Sequence, residues 1–449
     1  MSQNYRTVPE DTQGMPSGIP YIIGNEAAER FSYYGMRCIL VVFMTRYMLD
    51  RQGELDLLSP EQAKAYYSWF LSSVYFFPIL GALLADGVLG KYRTIFWVSL
   101  IYCLGHLVLS IDATRGGLFL GLGLIALGSG GIKPCVSAVV GDQFGPSNQN
   151  LLEKVYGWFY FSINFGSMFS TILIPELLEH YGPHVAFAVP GILMALATFI
   201  FWLGRHKFVH VPPTGLSFLR EAFTPAGMQA LRTPLIVTLF VAVFWSLYDQ
   251  SSSAWVLQAE NMNRNAFGKE WLASQTHTMN PILILILIPI FAYIVYPALN
   301  RIIPLTPTRK ITIGMFVTGL SFAIAGWIET MIQRGETPHI AWQLLAYIVL
   351  TSGEVMVSIT GLEFSYTVAP KNMKSIVMAI WLLSVSLGNA VTAVVNTVIQ
   401  NEDKTSKLPG AEYYWFFTGL MLAAAVGFAL VSLTFPRGES RGEENLSSA

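Results

Sequence analysis

The chain has 449 residues, of which 53% are hydrophobic and only 12% are charged. A soluble domain carries about 25% charged residues, so this composition excludes a soluble protein and indicates one with many membrane spans. The formal net charge of −1, without any basic block, gives no reason to expect a nucleic-acid partner. The cysteines Cys38, Cys103 and Cys135 all lie in apolar segments, so we expect no disulfide framework.

Apolar runs that are long enough to cross a bilayer predict twelve membrane spans. They lie near residues 18–48, 61–85, 94–112, 116–141, 153–179, 184–204, 232–256, 271–300, 308–332, 339–369, 373–400 and 411–435. The one longer joint, with Pro212-Pro213 and mixed charge, divides these spans into six and six. We therefore expect an all-α membrane protein of two six-helix bundles. Its expected parts are a cytoplasmic tail at 1–17, a bundle at 18–204, a cytoplasmic linker at 205–231, a bundle at 232–435 and a cytoplasmic tail at 436–449.

The lysines and arginines of the joints predict the orientation, because cytoplasmic loops carry an excess of them. The joints after even-numbered spans hold twelve of these residues and the joints after odd-numbered spans hold seven. Both termini are therefore expected in the cytoplasm. The short loops and termini favour a bacterial inner membrane.

The first span contains two carboxylates, two guanidinium groups and two tyrosines, namely Glu26, Glu29, Arg30, Arg37, Tyr33 and Tyr34. Each charge near the bilayer centre costs about 3 kcal/mol on insertion scales. At about 100° per residue, Glu26, Arg30, Tyr33 and Arg37 fall within about 60° of arc, so they share one face of the helix. This face must meet a bundle interior or water. It is either a salt-bridge face that only holds helices together or, as we favour, an ion- or proton-handling site.

Further polar residues interrupt the later spans. In span four, Lys133 must pair with an acid or face water, and Glu26 and Glu29 are the nearest acids that we expect. In span five, Asn164 is as readily a helix–helix hydrogen-bond donor as a ligand. His106, well inside span three, is interpreted as a hydrogen-bonded packing residue.

The second half of the chain has its own set of buried polar residues. Asp249 lies in span seven, and Asn280 precedes a proline at the start of span eight. Span ten contains Glu354 and Glu363, nine residues apart, which point to opposite sides of a regular helix. We interpret Glu354 as the acid of a central cavity and Glu363 as support for packing.

Enzyme signatures are missing from the sequence. It has no phosphate-binding glycine loop, no nucleophile elbow and no metal-ligand spacing. We therefore expect a protein that is not an enzyme and needs no cofactor, and whose driving energy comes from an ion gradient.

Three motifs resemble the signatures of the proton-coupled oligopeptide transporters. They are Glu26-xx-Glu29-Arg30-Phe31-x-Tyr33-Tyr34-Gly35, Gly128-x-Gly130-xx-Lys133-Pro134 and Phe159-Tyr160-xx-Ile163-Asn164-x-Gly166-Ser167. The stretches Gly361-Leu362-Glu363-Phe364-Ser365-Tyr366 and Trp381-Leu382-Leu383 resemble the animal members in particular. The likeness runs from about residue 18 to residue 435 and implies the major facilitator fold.

The resemblance implies symport of di- and tripeptides with protons by a monomer in the lipid bilayer, driven by the proton gradient alone. It implies that Arg30 and Lys133 bind the peptide carboxylate, and that Asn164, Asn280 and Glu354 bind its amino group. The other implied roles are cavity lining for Tyr33, Tyr34 and Tyr75, side-chain pocket walls for Trp245 and Trp381, and proton coupling for Glu26, Glu29 and an Arg37–Asp249 pair.

The sequence departs from the animal members at two positions. Ser68 stands where they have a histidine in span two, so proton coupling here is expected to depend on carboxylates. Near the start of span seven, Thr233 aligns with their arginine and Arg232 lies one position away.

Two other functions stay open at this point. The same fold could carry nitrate or another small anion, but such a carrier would need the cations without Asn164, Asn280 and Glu354. A membrane sensor that binds peptide without moving it is the other alternative. The expected site suits a dipeptide zwitterion, whose charged ends lie about 7 Å apart when the chain is extended.

Overall fold

The fold was analysed in a computed structural model that describes residues 5–213, 215, 224–368, 374–403 and 405–435. The predicted tail at 436–449 and much of the predicted linker lie outside the described residues. The same holds for Arg220, Lys371 and Lys404, which contribute to the charge count of the joints.

Helices make up nearly all of the described chain, as the sequence predicts. In chain order they are α1 (Ile19–Arg46), α2 (Pro60–Leu84), α3 (Lys91–Ile111), α4 (Arg115–Asp142), α5 (Leu152–Leu203), α6 (Pro225–Tyr248), α7 (Ala254–Ala259), α8 (Met279–Ile290), α9 (Tyr296–Asn300), α10 (Pro307–Gln333), α11 (Ala341–Glu354), α12 (Thr360–Val368), α13 (Lys374–Ile399) and α14 (Ala411–Ser432). One small antiparallel hairpin, β1 (Asn265–Ala266) with β2 (Lys269–Glu270), follows α7.

Ten helical stretches of the described chain are long and apolar enough to cross a membrane. One of them contains α5, whose 52 residues form two helices that meet at Gly182, where φ is 77° and ψ is 179°. Helix α1, with 28 residues, is also long enough to cross a membrane, but it carries Glu26, Glu29, Arg30, Arg37 and Arg46. When α1 and both parts of α5 are counted, the structure is consistent with the twelve predicted spans.

The chain forms two compact units. The first contains residues up to 58 and from 73 to 217, and the second contains residues 59–72 and those from 218 onward. Helix α2 is divided between them: its residues 60–72 belong to the second unit, and the rest belongs to the first.

In the first unit, α1 lies along α5, and small residues bring the two backbones together. A Cβ atom added at Gly166 would lie 2.6 Å from the carbonyl oxygen of Ala27, and one added at Gly35 would lie 2.7 Å from Ile174. Glycine at such positions lets membrane helices approach closely. This contact fixes the charged face of α1 against a neighbouring helix.

The N-terminal segment is also part of the first unit. The ring of Tyr5 stacks on His210 with the ring centroids 4.1 Å apart, and Asn148 donates a hydrogen bond from Nδ2 to the carbonyl of Gly14 at 3.2 Å. The described part of the predicted tail at 1–17 is therefore packed against the start of the linker and against the joint before α5.

The second unit is built around a large aromatic core, in which Trp255, Phe322 and Tyr347 are fully buried. A Cβ atom at Gly388 would collide with the carbonyl of Ala242, so α13 lies very close to α6. The helix of span ten changes pitch at Val355–Ile359, a π turn that joins α11 to α12.

Candidate functional site

An ion cluster on α1 lies inside the first unit. Arg30 Nε is 2.6 Å from Glu26 Oε1 and 3.2 Å from Glu29 Oε2, and both carboxylates are fully buried. One guanidinium group thus faces two carboxylates, and Lys133, which interacts electrostatically with Glu29, is the second cation of the cluster. The predicted shared face of α1 is confirmed for Glu26 and Arg30, and Glu29, which lies beside that face, also reaches the guanidinium group.

Lys133 of α4 reaches the same region. Its Nζ lies 4.2 Å from the ring centroid of Tyr33 and 4.2 Å from that of Tyr75, so two aromatic faces hold the ammonium group by cation–π contact. Lys133 also interacts electrostatically with Glu29, which confirms that the acids of α1 are near this lysine. Tyr34 contacts Tyr33 edge-on at 5.3 Å.

Asn164 and Arg37 are the other predicted site residues of the first unit. Asn164 is buried and donates from Nδ2 to the carbonyl of Tyr160, one turn earlier in α5, at 2.9 Å. Arg37 is also buried. The predicted ligand role of Asn164 and the predicted pairing of Arg37 with Asp249 stay predictions.

The contacts of His106 confirm that it is a packing residue. It is fully buried, its Nε2 lies 2.9 Å from Ser32 Oγ, and its ring stacks on Tyr102 at 5.1 Å between centroids. Ser32 lies between the charged residues of α1, so this hydrogen bond helps to fix the orientation of that helix.

The second unit contains a polar cluster built from three helices. Asn280, at the start of α8, donates from Nδ2 to Glu354 Oε2 at 2.8 Å and lies 3.1 Å from Thr351 Oγ1. Tyr248, at the end of α6, donates its hydroxyl to Asn280 Oδ1 at 3.0 Å. Asn280 thus holds the Glu354 carboxylate in place with a neutral group. The sequence analysis assigns Asn280 and Glu354 to the same binding group but gives no role to Tyr248. Tyr248 lies about one turn after Trp245 on the same face of α6.

Aromatic side chains surround this cluster. Trp245 contacts Tyr248 edge-on at 5.3 Å, and Phe244 stacks on Tyr248 at 5.6 Å. Trp381 is buried, and its indole lies where a Cβ atom of Gly361 would be. Both predicted tryptophans therefore belong to the interior of the second unit.

Asp249 lies in the short turn that follows α6. It is buried and accepts a hydrogen bond from Asn389 Nδ2 at 2.7 Å. The sequence analysis did not identify Asn389, because this asparagine of span eleven belongs to no recognised motif. Ser68, the departure in span two, is buried, and so is Thr233, whereas its neighbour Arg232 is exposed.

The relation of Glu354 to Glu363 differs from the prediction. The π turn at Val355–Ile359 lies between them and contains one extra residue per turn. The nine steps from Glu354 to Glu363 therefore rotate about the helix axis as far as eight steps of a regular α-helix, which leaves the two side chains about 80° apart. Glu363 is exposed, so its interpretation as support for packing is wrong. The sequence could not show the π turn, because its residues are ordinary helix formers.

Comparison with known proteins identifies the family. The model of the POT family matches residues 92–226 and 226–416. The chain is 37% identical over 366 residues to "Peptide transporter family 1" of Drosophila melanogaster, which covers 71% of this chain and 48% of that protein. It is 33% identical over 400 residues to human "Solute carrier family 15 member 2", covering 78% of this chain and 54% of that protein. The chain thus spans about half the length of these curated relatives.

Solved structures agree with this assignment. An auto-inhibited POT family peptide transporter has a TM-score of 0.87 and 36% identity, covering 97% of this chain and 99% of that one. The POT family transporter PepTSo has a TM-score of 0.86 and 37% identity, covering 94% and 98%. These structures confirm the predicted major facilitator fold, and the family is one of transporters rather than enzymes. With more than half of the chain matched by the family model, this chain belongs to the POT family.

Proposed function

We propose that this chain is a symporter that imports di- and tripeptides together with protons by alternating access. The observation that carries the proposal is a pair of polar clusters, one buried and one partly buried. One holds two carboxylates on a single guanidinium group next to Lys133, and the other holds Glu354 on the neutral amide of Asn280. The printed names of the relatives and the membership in the POT family support the same substrate class.

The two ends of a peptide carry opposite charges, so they need opposite partners. Arg30 and Lys133 provide the cations for the peptide carboxylate. Glu354 provides the anion for the amino group, with Asn280 and Asn164 as polar neighbours. Asn280 is neutral, so it orients Glu354 without supplying a positive charge that would compete with an incoming ammonium group.

Proton coupling follows from the competition for Arg30. Its guanidinium group is held by Glu26 and Glu29, so a peptide carboxylate must compete with two carboxylates that are already present. A proton on Glu29 removes one competitor and leaves the positive charges of Arg30 and Lys133 opposed by Glu26 alone. Proton binding therefore favours peptide binding, and loss of the proton favours peptide release. The Arg37–Asp249 pair is a second part of this coupling in our proposal.

Broad specificity is expected because the recognised groups are the ends of the peptide. The side chains of different peptides would meet Tyr33, Tyr34, Tyr75, Trp245 and Trp381. Aromatic faces accept apolar and cationic groups alike. A nitrate carrier would need the cations but would have no use for the Asn280–Glu354 pair.

The cellular setting is proposed on the charge of the joints. We propose a monomer in a bacterial inner membrane with both termini in the cytoplasm, the tails and the linker having the bounds given above. No cofactor is required, because the proton gradient supplies the energy.

Uptake of labelled dialanine into proteoliposomes tests the proposed function. We expect accumulation with an inward proton gradient and only equilibration without one. Unlabelled dipeptides should compete, whereas nitrate and N-acetylated dipeptide should compete poorly. Accumulation of nitrate, or binding of dialanine without any uptake, would overturn the proposal in favour of the anion carrier or the sensor.

A further inference from the structure

The second unit contains a polar pocket of about 190 Å³ that lies apart from the Glu354 cluster. Its walls include Glu61 and Lys64 of α2, Gln258 of α7, Glu329 of α10 and Tyr413 of α14. The exposed residue Asn261 also lines it, so the pocket reaches the surface. All of these helix ends adjoin joints that are predicted to be extracellular.

Lys64 is buried, with only 7% of its surface exposed, although it carries a charge. The nearest carboxylate oxygen, Glu61 Oε1, lies 3.7 Å from its Nζ, which is an ion pair longer than a hydrogen bond. The ammonium group also lies 3.8 Å from the ring centroid of Tyr413. Lys64 is therefore held by Glu61 and Tyr413 from two sides.

Glu329 is partnered differently. Its Oε2 accepts a hydrogen bond from Gln258 Nε2 at 2.8 Å, and no cation lies within ion-pair distance of it among the described residues. Gln258 also donates to the carbonyl of Ala325 at 3.0 Å. The Oε1 of Gln258, whose side chain is 98% buried, has no hydrogen-bond partner in the described chain. The hydrogen-bond acceptors around Gln258 and Glu329 thus outnumber the donors among the described residues.

The charges of the pocket do not balance. Glu61, Glu329 and Lys64 sum to a net charge of −1 when all are ionised, and Tyr413 and Tyr414 of α14 add only neutral phenols. A net charge in an apolar span is costly, and binding one monovalent cation removes it. Glu329 is the group that receives the cation, because Lys64 forms its ion pair with Glu61 and acts on Glu329 only from beyond ion-pair distance.

We propose that Glu329 is a proton-binding site that exchanges with extracellular water through this pocket and is separate from Glu26 and Glu29. The space holds several water molecules, at about 30 Å³ each, so a proton can reach the carboxylate through water. The proton binds one carboxylate oxygen and no other bond changes. Only the extracellular assignment and the link to transport depend on the proposed function; the site itself does not.

Thermal unfolding of the purified full chain in detergent tests the site without transport. We compare wild type, Glu329→Gln and the matched control Glu336→Gln, whose glutamate is exposed beyond the end of α10. At about pH 8, Glu329→Gln should unfold several degrees above wild type, because it lacks the buried charge. Towards about pH 5 the difference should vanish, because a protonated Glu329 is neutral like Gln. The control should show no such dependence.

Two further measurements keep the proposal falsifiable if that variant folds poorly. Lys64→Gln leaves Glu61 and Glu329 without a neighbouring cation. Because a cation favours the ionised form of a carboxylate, Glu329 in this variant should bind its proton at a pH about one unit higher than in wild type. A difference between Glu329→Gln and wild type that is the same at every pH would overturn the proposal. The unfolding temperature of wild type could instead rise with the Na⁺ concentration at constant ionic strength, with no such rise in Glu329→Gln. That result would overturn the proton assignment and identify sodium as the bound cation.

Failure of the site can be told apart from failure of the proposed function. In vesicles of one orientation, Glu329→Gln should change the response of peptide exchange to external pH and leave the response to internal pH unchanged. If wild type transports no peptide but the thermal difference depends on pH, the proposed function fails and the site stands. If transport is normal and neither response changes, the site fails and the function stands.

Discussion

Replacing Glu29 by glutamine separates peptide binding from energy coupling. In the structure, Arg30 keeps its 2.6 Å contact with Glu26 when Glu29 becomes neutral, so the variant retains one balanced ion pair. The change removes the 3.2 Å ion contact of Glu29 with Arg30 and keeps the size and shape of the side chain. Glutamine therefore resembles a permanently protonated Glu29.

The expected effect can be estimated from the driving force. One inward proton supplies about 2.3 kcal/mol per 100 mV and about 1.4 kcal/mol per pH unit. Together, 100 mV and one pH unit allow about a 500-fold concentration ratio of peptide at one proton per peptide. Wild type should approach such accumulation, whereas Glu29→Gln should only equilibrate. Exchange of internal for external peptide should continue, because it passes through loaded states and needs no net proton movement.

The assay measures accumulation and exchange of labelled dialanine in the same proteoliposomes. Glu336→Gln, with its exposed glutamate, is the control that should retain both activities. Glu354→Ala should lose both, because it removes the partner of the amino group. Accumulation by Glu29→Gln against a gradient would refute the reasoning and move the coupling site to Asp249 and Arg37.

Three further predictions test single contacts. Lys133→Ala should abolish uptake while the protein stays folded, because the lysine serves the peptide carboxylate; normal uptake, or loss of folding measured by size-exclusion chromatography, contradicts this role. Glu354→Gln should weaken binding of free dipeptide about 10-fold or more, the loss of one charged hydrogen bond, and affect N-acetylated dipeptide far less in competition assays. Burial lowers the pKa of His210, so Tyr5→Ala should raise that pKa towards about 6.5, as measured by NMR titration; an unchanged value would show that Tyr5 does not cover it.

The sequence predicts those parts of the site that depend on one helix or on a charge that must find a partner. The face shared by Glu26 and Arg30 follows from a rotation of about 100° per residue, and their 2.6 Å contact confirms it. Lys133 near Glu29 follows from the cost of a lone buried lysine. Both arguments work because charges in an apolar span have few alternatives.

Contacts that depend on how helices meet could not be predicted in the same way. Tyr248, Asn389 and Gln258 come next to their acids only through packing of different helices, and none belongs to a charged motif. The π turn after Glu354 changes the register within a helix whose sequence looks regular. Amides and phenols cost less to bury than charges, so their presence in a span places weaker constraints on the fold.

Three acids of the second unit have the same kind of partner, and this bears on what they can bind. Glu354, Asp249 and Glu329 each accept a hydrogen bond of 2.7 or 2.8 Å from a side-chain amide, whereas the acids of α1 face Arg30. An amide fixes the position of a carboxylate and leaves its negative charge in place. In our proposals, the cations that arrive at such carboxylates and depart again are a peptide ammonium group at Glu354 and a proton at Glu329. A permanent cation at either position would cancel the charge on which that exchange depends.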